Sequence, residues 1–422
     1  MSPSDRFNEP SCADDHEPGV RRVADARNDI LKQLRPVQGI EKLALRAALN
    51  RFLAKPILSP ANVPGHDNSA MDGYAVRGAD LDGDERPRLR LVGSLYAGQR
   101  YDGECAAGEC IRIMTGAPMP DGADTVIMQE QARVIDDASI EIVGRHRHGE
   151  NVRLAGEDIA LGDAVLEAGR RLTPADIGIL ASLGIAEVQV YRRPRVAFFS
   201  TGDELRSLGE TLNTGDVYDS NRYSLYGMLR QLDVELLDMG VIRDDPEQLR
   251  EAFTSAAAMA DVIVTSGGVS VGEADFTREI LEALGNMHFW KILMKPGRPL
   301  SFGNIGDTAF FGLPGNPVAV MVTFLQFVQP ALRYLASGRE ETPLTLPARC
   351  LHTIRKRPGR HEFPRGIYRS DADGQLVVTT TGQQGSGILT SMSRGNCFIL
   401  LPEDNAGVEE GDWVRIQPFV CY

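Results

Sequence analysis

Between Arg195 and about Leu335, short apolar runs alternate with amphipathic helical repeats, and this alternation constrains the fold more than any other feature. Val196–Phe199, Val234–Leu237, Val262–Thr265, Phe289–Leu293 and Ala309–Leu313 have the length and composition of buried strands. Helix-period segments lie between them. One carries Leu225, Met228, Leu229 and Leu232, and a second, after Asp245-Pro246, carries Leu249, Ala252, Phe253 and Ala256. A third carries Phe276, Ile280, Leu281 and Leu284, and a long helix runs from Asn316-Pro317 to about Leu335. Strand–helix alternation of this kind predicts a doubly wound, mainly parallel α/β sheet.

Ligands of such sheets collect at the carboxyl ends of the strands. Here those ends read Ser200-Thr-Gly-Asp-Glu-Leu205, Arg243-Asp-Asp245, Thr265-Ser-Gly-Gly268, Lys291 running into Lys295-Pro-Gly-Arg-Pro299, and Gly312-Leu-Pro-Gly-Asn-Pro317. The third continues through Ser270 and Glu273 to Asp275. Ser266-Gly267-Gly268 lets backbone N–H groups approach an anion closely, and a carboxylate beside an anion suggests a metal. Acidic groups, basic groups and glycine loops on one rim suit a phosphate with a divalent cation. Singly, each has an ordinary explanation. Asp245 and Asn316 suit helix caps, Asp203 and Glu204 a solvated turn, and Lys295 and Arg298 the surface. The P-loop and the G-x-G-x-x-G fingerprint are missing, which disfavours the common nucleotide hydrolases.

The rest of the 422 residues must form further domains. Residues 1–20 read as a disordered acidic tail. Residues 21–60 and 159–193 read as a helical N-terminal segment. It holds an amphipathic helix with Val23, Ala26, Ile30, Leu31 and Leu34 inward, a second helix around Arg46–Leu53, and a third capped by Thr173 and closed by Gly184. Residues 61–158, with many turns and short strands, form an inserted β domain. Residues 194–341 are the α/β domain, and 342–422 a small C-terminal β domain. The net charge of −13 argues against nucleic acid as the main partner. Without an apolar leader or a segment of membrane-spanning length, and with six scattered cysteines read as free thiols, a cytoplasmic protein off the membrane is expected.

Three loops of the inserted domain and its edge carry more than turn chemistry: Asp67–Val76, Met114–Asp124 and Gly149–Asp158. Turns do not require Asp72, Thr115, Arg153 or Asp158, and these groups could complete an anion and metal site. The C-terminal domain adds a basic run, Arg349, Arg355, Lys356, Arg357, Arg360, Arg365 and Arg369, read either as a solvated face or as a funnel for a phosphorylated substrate.

With these motifs in order, the chain resembles the MoeA-type molybdopterin molybdenumtransferases, the family that includes the gephyrin E domain. The resemblance runs from about residue 20 to the C-terminus. It rests on Asp67–Val76, Arg112–Pro118, Gly156–Ile159, Ser200–Leu205, Asp219–Asn221, Ser266–Asp275, Lys295–Gly303, Gly312–Ala319 and Gly385–Ser391. It implies an elongated homodimer and a Mg2+-dependent reaction of adenylylated molybdopterin with molybdate, giving molybdenum cofactor and AMP. Molybdopterin adenylyltransferase and apo-molybdoenzymes are the implied protein partners.

By match to the family pattern, Glu204, Asp244 and Asp275 take catalytic and metal-associated roles, with Asp158 as a further metal candidate. Asp72 and Thr115 join them from the inserted domain, facing a neighbouring subunit. The implied substrate contacts are Ser266, Gly267, Gly268, Ser270, Lys291, Lys295, Arg298, Pro314, Asn316, Arg153 and Ser391. The family often has Lys at the position of Arg298, where a bidentate fork here replaces a point charge. Leu154-Ala155 is less basic than usual, and His66 replaces an aromatic or apolar residue. Two other readings use the same residues: ATP-dependent adenylylation of molybdopterin, and a scaffold without turnover. The extra terminal domains weigh against the first, and the intact acidic and basic rim against the second.

Overall fold

A computed structural model describes residues 20–82, 86–267 and 276–419. Residues 1–19 of the acidic tail, Gly268, Ser270 and Asp275 therefore lie outside the described residues, as do Cys12 and Cys421. Two compact units divide the chain, one of residues 20–40 with 191–419 and one of residues 41–190.

The first unit is built on a seven-stranded sheet. Its elements in chain order are β1 (Val20–Arg21), α1 (Val23–Gln33), β2 (Arg195–Thr201), α2 (Ser220–Arg230), β3 (Glu235–Ile242), α3 (Pro246–Met259) and β4 (Val262–Ser266). There follow α4 (Phe276–Leu284), β5 (Asn286–Ile292), β6 (Pro299–Ile305), β7 (Thr308–Leu313) and α5 (Pro317–Ser337). The strand order is β1-β5-β6-β7-β4-β2-β3. Neighbours pair in parallel except for β5–β6 and β6–β7. The carboxyl ends of β2, β3, β4, β5 and β7 therefore share one rim, as the alternation predicts.

The strand β6 is an addition to the sequence reading. Pro299, Gly303 and Asn304 dilute its signal, and antiparallel pairing on both sides supplies what local propensity lacks. Period-two alternation sorts the strands between two cores. Val196, Phe198, Val262 and Val264 face α1, α2 and α5, whereas Ala197, Phe199 and Ile263 face α3 and α4. Each fully buried Phe is worth about 1.5–3 kcal/mol, so this two-sided burial outweighs any single surface contact. The helix α1, grouped on sequence with the helical N-terminal segment, instead packs Val23, Ala26, Ile30 and Leu34 into the first of these cores.

The helix α5 corrects another expectation. At 21 residues it is long and apolar enough to cross a membrane by length and composition, yet 67% of its apolar window is buried inside the fold. It is the central core helix, widened by a π turn over Phe324–Val328. A closed barrel of Leu346–Cys350, Leu376–Thr380, Arg365–Ser370, Cys397–Leu400 and Trp413–Pro418 completes the unit. Its Phe363, Met392 and Phe398 join the α5 core.

In the second unit, a six-stranded sheet contains Gly73–Val76, Arg88–Leu95, Glu109–Ile113, Thr125–Met128, Ala132–Asp136 and Ser139–Ile142. A separate core of Ala48, Leu53, Leu166, Leu172, Leu180, Val188 and Val190 lies around the helix Pro174–Ser182. That helix opens on a reciprocal capping box between Thr173 and Asp176, and Gly184 follows it at φ +70°. The helix expected at Arg46–Leu53 is only a short 3-10 turn, Leu45–Ala48. Asn50 adopts φ +67°, which ends the turn, and Phe52 and Leu53 then bridge to Arg171 and Val190.

Candidate active site

At the shared rim of the first unit lies a cleft of about 660 Å3. Thr201 at the end of β2 lines it with Gly202 and Glu204 just after, Asp244 from beyond β3, and Gly267 from beyond β4. Lys295, Gly297 and Arg298 come from the β5–β6 connection, and Pro314, Gly315 and Asn316 from beyond β7. The barrel adds Arg360, Gln384, Gly385 and Ser386. The close approach of these loops depends on glycine at two points. A Cβ on Gly267, at φ +90°, would sit 2.5 Å from the Thr201 carbonyl oxygen. One on Gly297, at φ +96°, would meet the Thr323 methyl at 2.6 Å.

The cleft carries both signs of charge. Lys295, Arg298 and Arg360 bring cationic side chains, and Glu204 and Asp244 bring carboxylates. Asp244 is pushed up from the ordinary carboxylate range by burial of its charge and by the negative charges of Asp203 and Glu204. A cation beside these carboxylates would relieve that repulsion, so their chemistry fits a hard metal such as Mg2+. Among the described residues no three His, Cys, Asp or Glu side chains form a metal-ligating group. Glu204 and Asp244 supply two carboxylates, and Asp275 lies outside the described residues. The Thr201 hydroxyl is buried and has no hydrogen-bond partner among the described residues.

The two candidate caps behave differently. Asp245 accepts from the Gln248 amide at 2.9 Å and is a cap. Asn316 precedes α5 without a side-chain capping bond and lines the cleft. The Lys295 ammonium is exposed and lies 3.5 Å from Glu362. Lys291 is half-buried in β5 and is absent from the cleft lining.

Ser266 and Ser391 do not line the cleft; both are buried. The Ser391 hydroxyl accepts from Arg365 Nε at 3.0 Å and donates to the Ile388 carbonyl at 2.7 Å. The basic run is likewise split by burial. Arg365 is only 1% exposed, also donates to the Gly385 carbonyl, and is pushed down to about 10 by desolvation. Lys356 donates to the carbonyls of Arg357, Glu403 and Asn405. Arg360 alone of the run lines the cleft. Gln384, missed on sequence, accepts from the Arg365 amide at 2.7 Å. Its position just before the Gly385–Ser391 stretch was the available signal.

In the second unit, the three singled-out loops are knitted together by backbone bonds. Ser69 donates to Ala117, Gly116 to Ser69, and Ala70 to Asn151. Arg153 pairs in register with Asn68. Asp72 accepts from the Thr115 amide at 2.8 Å and its hydroxyl at 2.7 Å, and the amide bond leads in holding the Asp72 carboxyl below its usual range. Asp72, Thr115, Arg153 and Asp158 are all exposed.

Comparison with known proteins follows this arrangement. Three family models match in order: the MoeA N-terminal region (domains I and II) over residues 21–184, a "Probable molybdopterin binding domain" over 197–334, and the MoeA C-terminal region (domain IV) over 347–419. A Nostoc molybdopterin molybdenumtransferase is 38% identical over 94% of this chain and 93% of its own. Gephyrin of Dictyostelium discoideum is 32% identical, with 61% of its length covered. A crystal structure of the molybdopterin biosynthesis MoeA protein of Pyrococcus horikoshii superposes with a TM-score of 0.84 at 29% identity, covering 95% of this chain and 100% of that one. The molybdopterin molybdenumtransferase of Haemophilus influenzae is 44% identical over 93% of this chain and 97% of its own, and the chain belongs to this MoeA-type molybdopterin molybdenumtransferase family.

Proposed function

We propose that this chain is the molybdenum insertase of molybdenum cofactor biosynthesis, combining adenylylated molybdopterin with molybdate and releasing AMP in a Mg2+-dependent reaction. The observation that carries this reading is the one cleft lined together by cationic side chains, carboxylates and glycine loops. Both reactants are oxyanions, so a site for them needs donors for each and a means of offsetting the charge that collects. Lys295, Arg298 and Arg360 bind oxyanion oxygens, and the backbone around Gly267 and Gly315 lies against the phosphoryl end. Holding both reactants on one rim lowers the entropic part of the barrier.

Glu204 and Asp244 are the residues that would hold Mg2+, with Asp275 assigned to the same group by the family pattern. The ion, when bound, offsets charge on phosphoryl oxygens. Glu204 or Asp275 orients a water or an oxo ligand. Asp72 and Thr115 take part in the reaction, Arg153 serves as a substrate contact and Asp158 as a further metal candidate, all from the second unit. The active species is a homodimer. Its partners are the adenylyltransferase that supplies the nucleotide substrate and the apo-enzymes that receive the product. Four buried free cysteines, Cys105, Cys110, Cys350 and Cys397, support a reducing, cytoplasmic setting.

The test is cofactor formation from purified adenylylated molybdopterin and molybdate, with and without Mg2+, alongside the mass of the protein in solution. Turnover that requires both molybdate and Mg2+ is expected. Accumulation of adenylylated molybdopterin from molybdopterin and ATP would instead assign the preceding step.

A further inference from the structure

We infer that Asn221 is a positioning residue that sets the spacing of the two glycine loops on which the substrate lies; the inference rests on the functional reading above. Asn221 occupies the first turn of α2. Its Nδ2 donates to Ser266 Oγ at 2.9 Å and to the Gly315 carbonyl at 2.7 Å. Both amide hydrogens are thus used on chain segments 45 and 94 residues away. Turning the amide over would set Oδ1 against the Gly315 carbonyl, two acceptors facing each other, so the orientation is fixed by chemistry.

The groups that Asn221 joins are not arbitrary. Ser266 ends β4 and precedes Gly267, while Gly315 follows β7, and both glycines line the cleft. Two residues earlier, Asp219 caps α2 through the Arg222 amide and accepts from Ser200 Oγ at 3.0 Å, near the end of β2. The strands β7, β4 and β2 are successive neighbours in the sheet. One short turn therefore pins three adjacent strand ends where the loops of the cleft begin.

A purely structural staple would satisfy its own atoms. Asn221 Oδ1 is buried with no hydrogen-bond partner among the described residues, as are the hydroxyls of Thr201 and Thr265 at the same rim. Leaving acceptors unpaired in the interior costs stability, and such costs concentrate where a site must be held in one geometry. Because Ser266 Oγ accepts from Asn221, its own proton is left to donate elsewhere. Loop spacing at this level matters, since a displacement of about 1 Å can cost roughly a hundredfold in rate.

The experiment compares Asn221→Asp, which keeps the volume but cannot donate to Gly315, with Asn221→Ala and Ser266→Ala. Three readouts are needed: steady-state kinetics with adenylylated molybdopterin, hydrogen exchange over residues 266–267 and 313–316, and thermal melting. Asn221→Asp and Asn221→Ala are expected to lower kcat/KM roughly ten- to a hundredfold, with KM rising, while exchange accelerates in both segments and the melting temperature holds. Adding Ser266→Ala to Asn221→Ala should cost less than the sum of the two single losses, because the two side chains share one bond. Unchanged kinetics with faster exchange would mean a structural staple only and overturn the inference. So would unchanged exchange, or a loss of activity that tracks loss of folded protein. Absence of turnover by the wild-type chain defeats the functional reading instead. Calorimetry with AMP then decides the matter, weakened binding in the variants supporting the role of Asn221 and equal or absent binding overturning it.

Discussion

The rim of the first unit and the knitted loops of the second use the same residue types to opposite electrostatic ends. At the rim, Asp244 sits with Asp203 and Glu204 and is pushed above the ordinary carboxylate range, first by burial and then by those like charges. In the second unit, Asp72 receives two hydrogen bonds from Thr115 and lies below that range. The buried Asp176 also ends below it: burial alone would raise it, but bonds from Arg170 and Thr173 outweigh that effect. Asp72 and Asp176 are stabilised by the chain itself, whereas Asp244 is left facing the negative charges of its neighbours. A group left in repulsion with its neighbours weakens the fold and is retained where a ligand or metal uses it.

Asp244→Asn should break this contrast most strongly. Removing the charge is expected to lower cofactor formation about a hundredfold to a thousandfold, read by the assay above. The same change should leave melting at neutral pH unchanged or higher. A carboxyl raised in the folded state favours folding while protonated, and that contribution is lost as pH rises past the ordinary carboxylate value. Any gain in melting temperature should therefore close in acid. Lys295→Ala, which removes a cation of the cleft and strips Glu362 of its partner, is expected to raise KM about tenfold to a hundredfold.

The second unit should answer differently. Asp176→Ala is expected to cost about 2 kcal/mol in urea unfolding at neutral pH, through loss of the capping box and of bonds from Arg170. The sign is opposite to that at Asp244. A carboxyl depressed in the folded state contributes stability above its unfolded pKa and loses it as pH falls through the folded value. The deficit should thus shrink in acid. Asp72→Asn should give the smallest change in melting, because the amide oxygen still accepts from Thr115. A fall in cofactor formation by that variant, with melting retained, is the expected sign that the Asp72 charge acts on the reaction. Full activity would confine the chemistry to the first unit.

Much of this is legible in the amino-acid sequence. The alternation from Arg195 to Leu335 reads directly as a two-sided sheet, because side-chain period records which faces are covered. That topology alone sends Glu204, Asp244, Gly267 and Lys295 to one rim, since parallel strands end together. What the sequence could not decide was which polar side chains stay at the surface. Arg365 and Ser391 look like ligands for an anion, yet they spend their hydrogen bonds on each other and on backbone. Arg360, from the same run, lines the cleft. The strand β6 and the failed helix at Arg46–Leu53 belong to the same class, one made by pairing on both edges and the other unmade by a positive φ at Asn50. Local periodicity determines element type and the rim they share. Burial, pairing and the sharing of one amide among distant loops are set by contacts remote in sequence, and only the tertiary structure decides them.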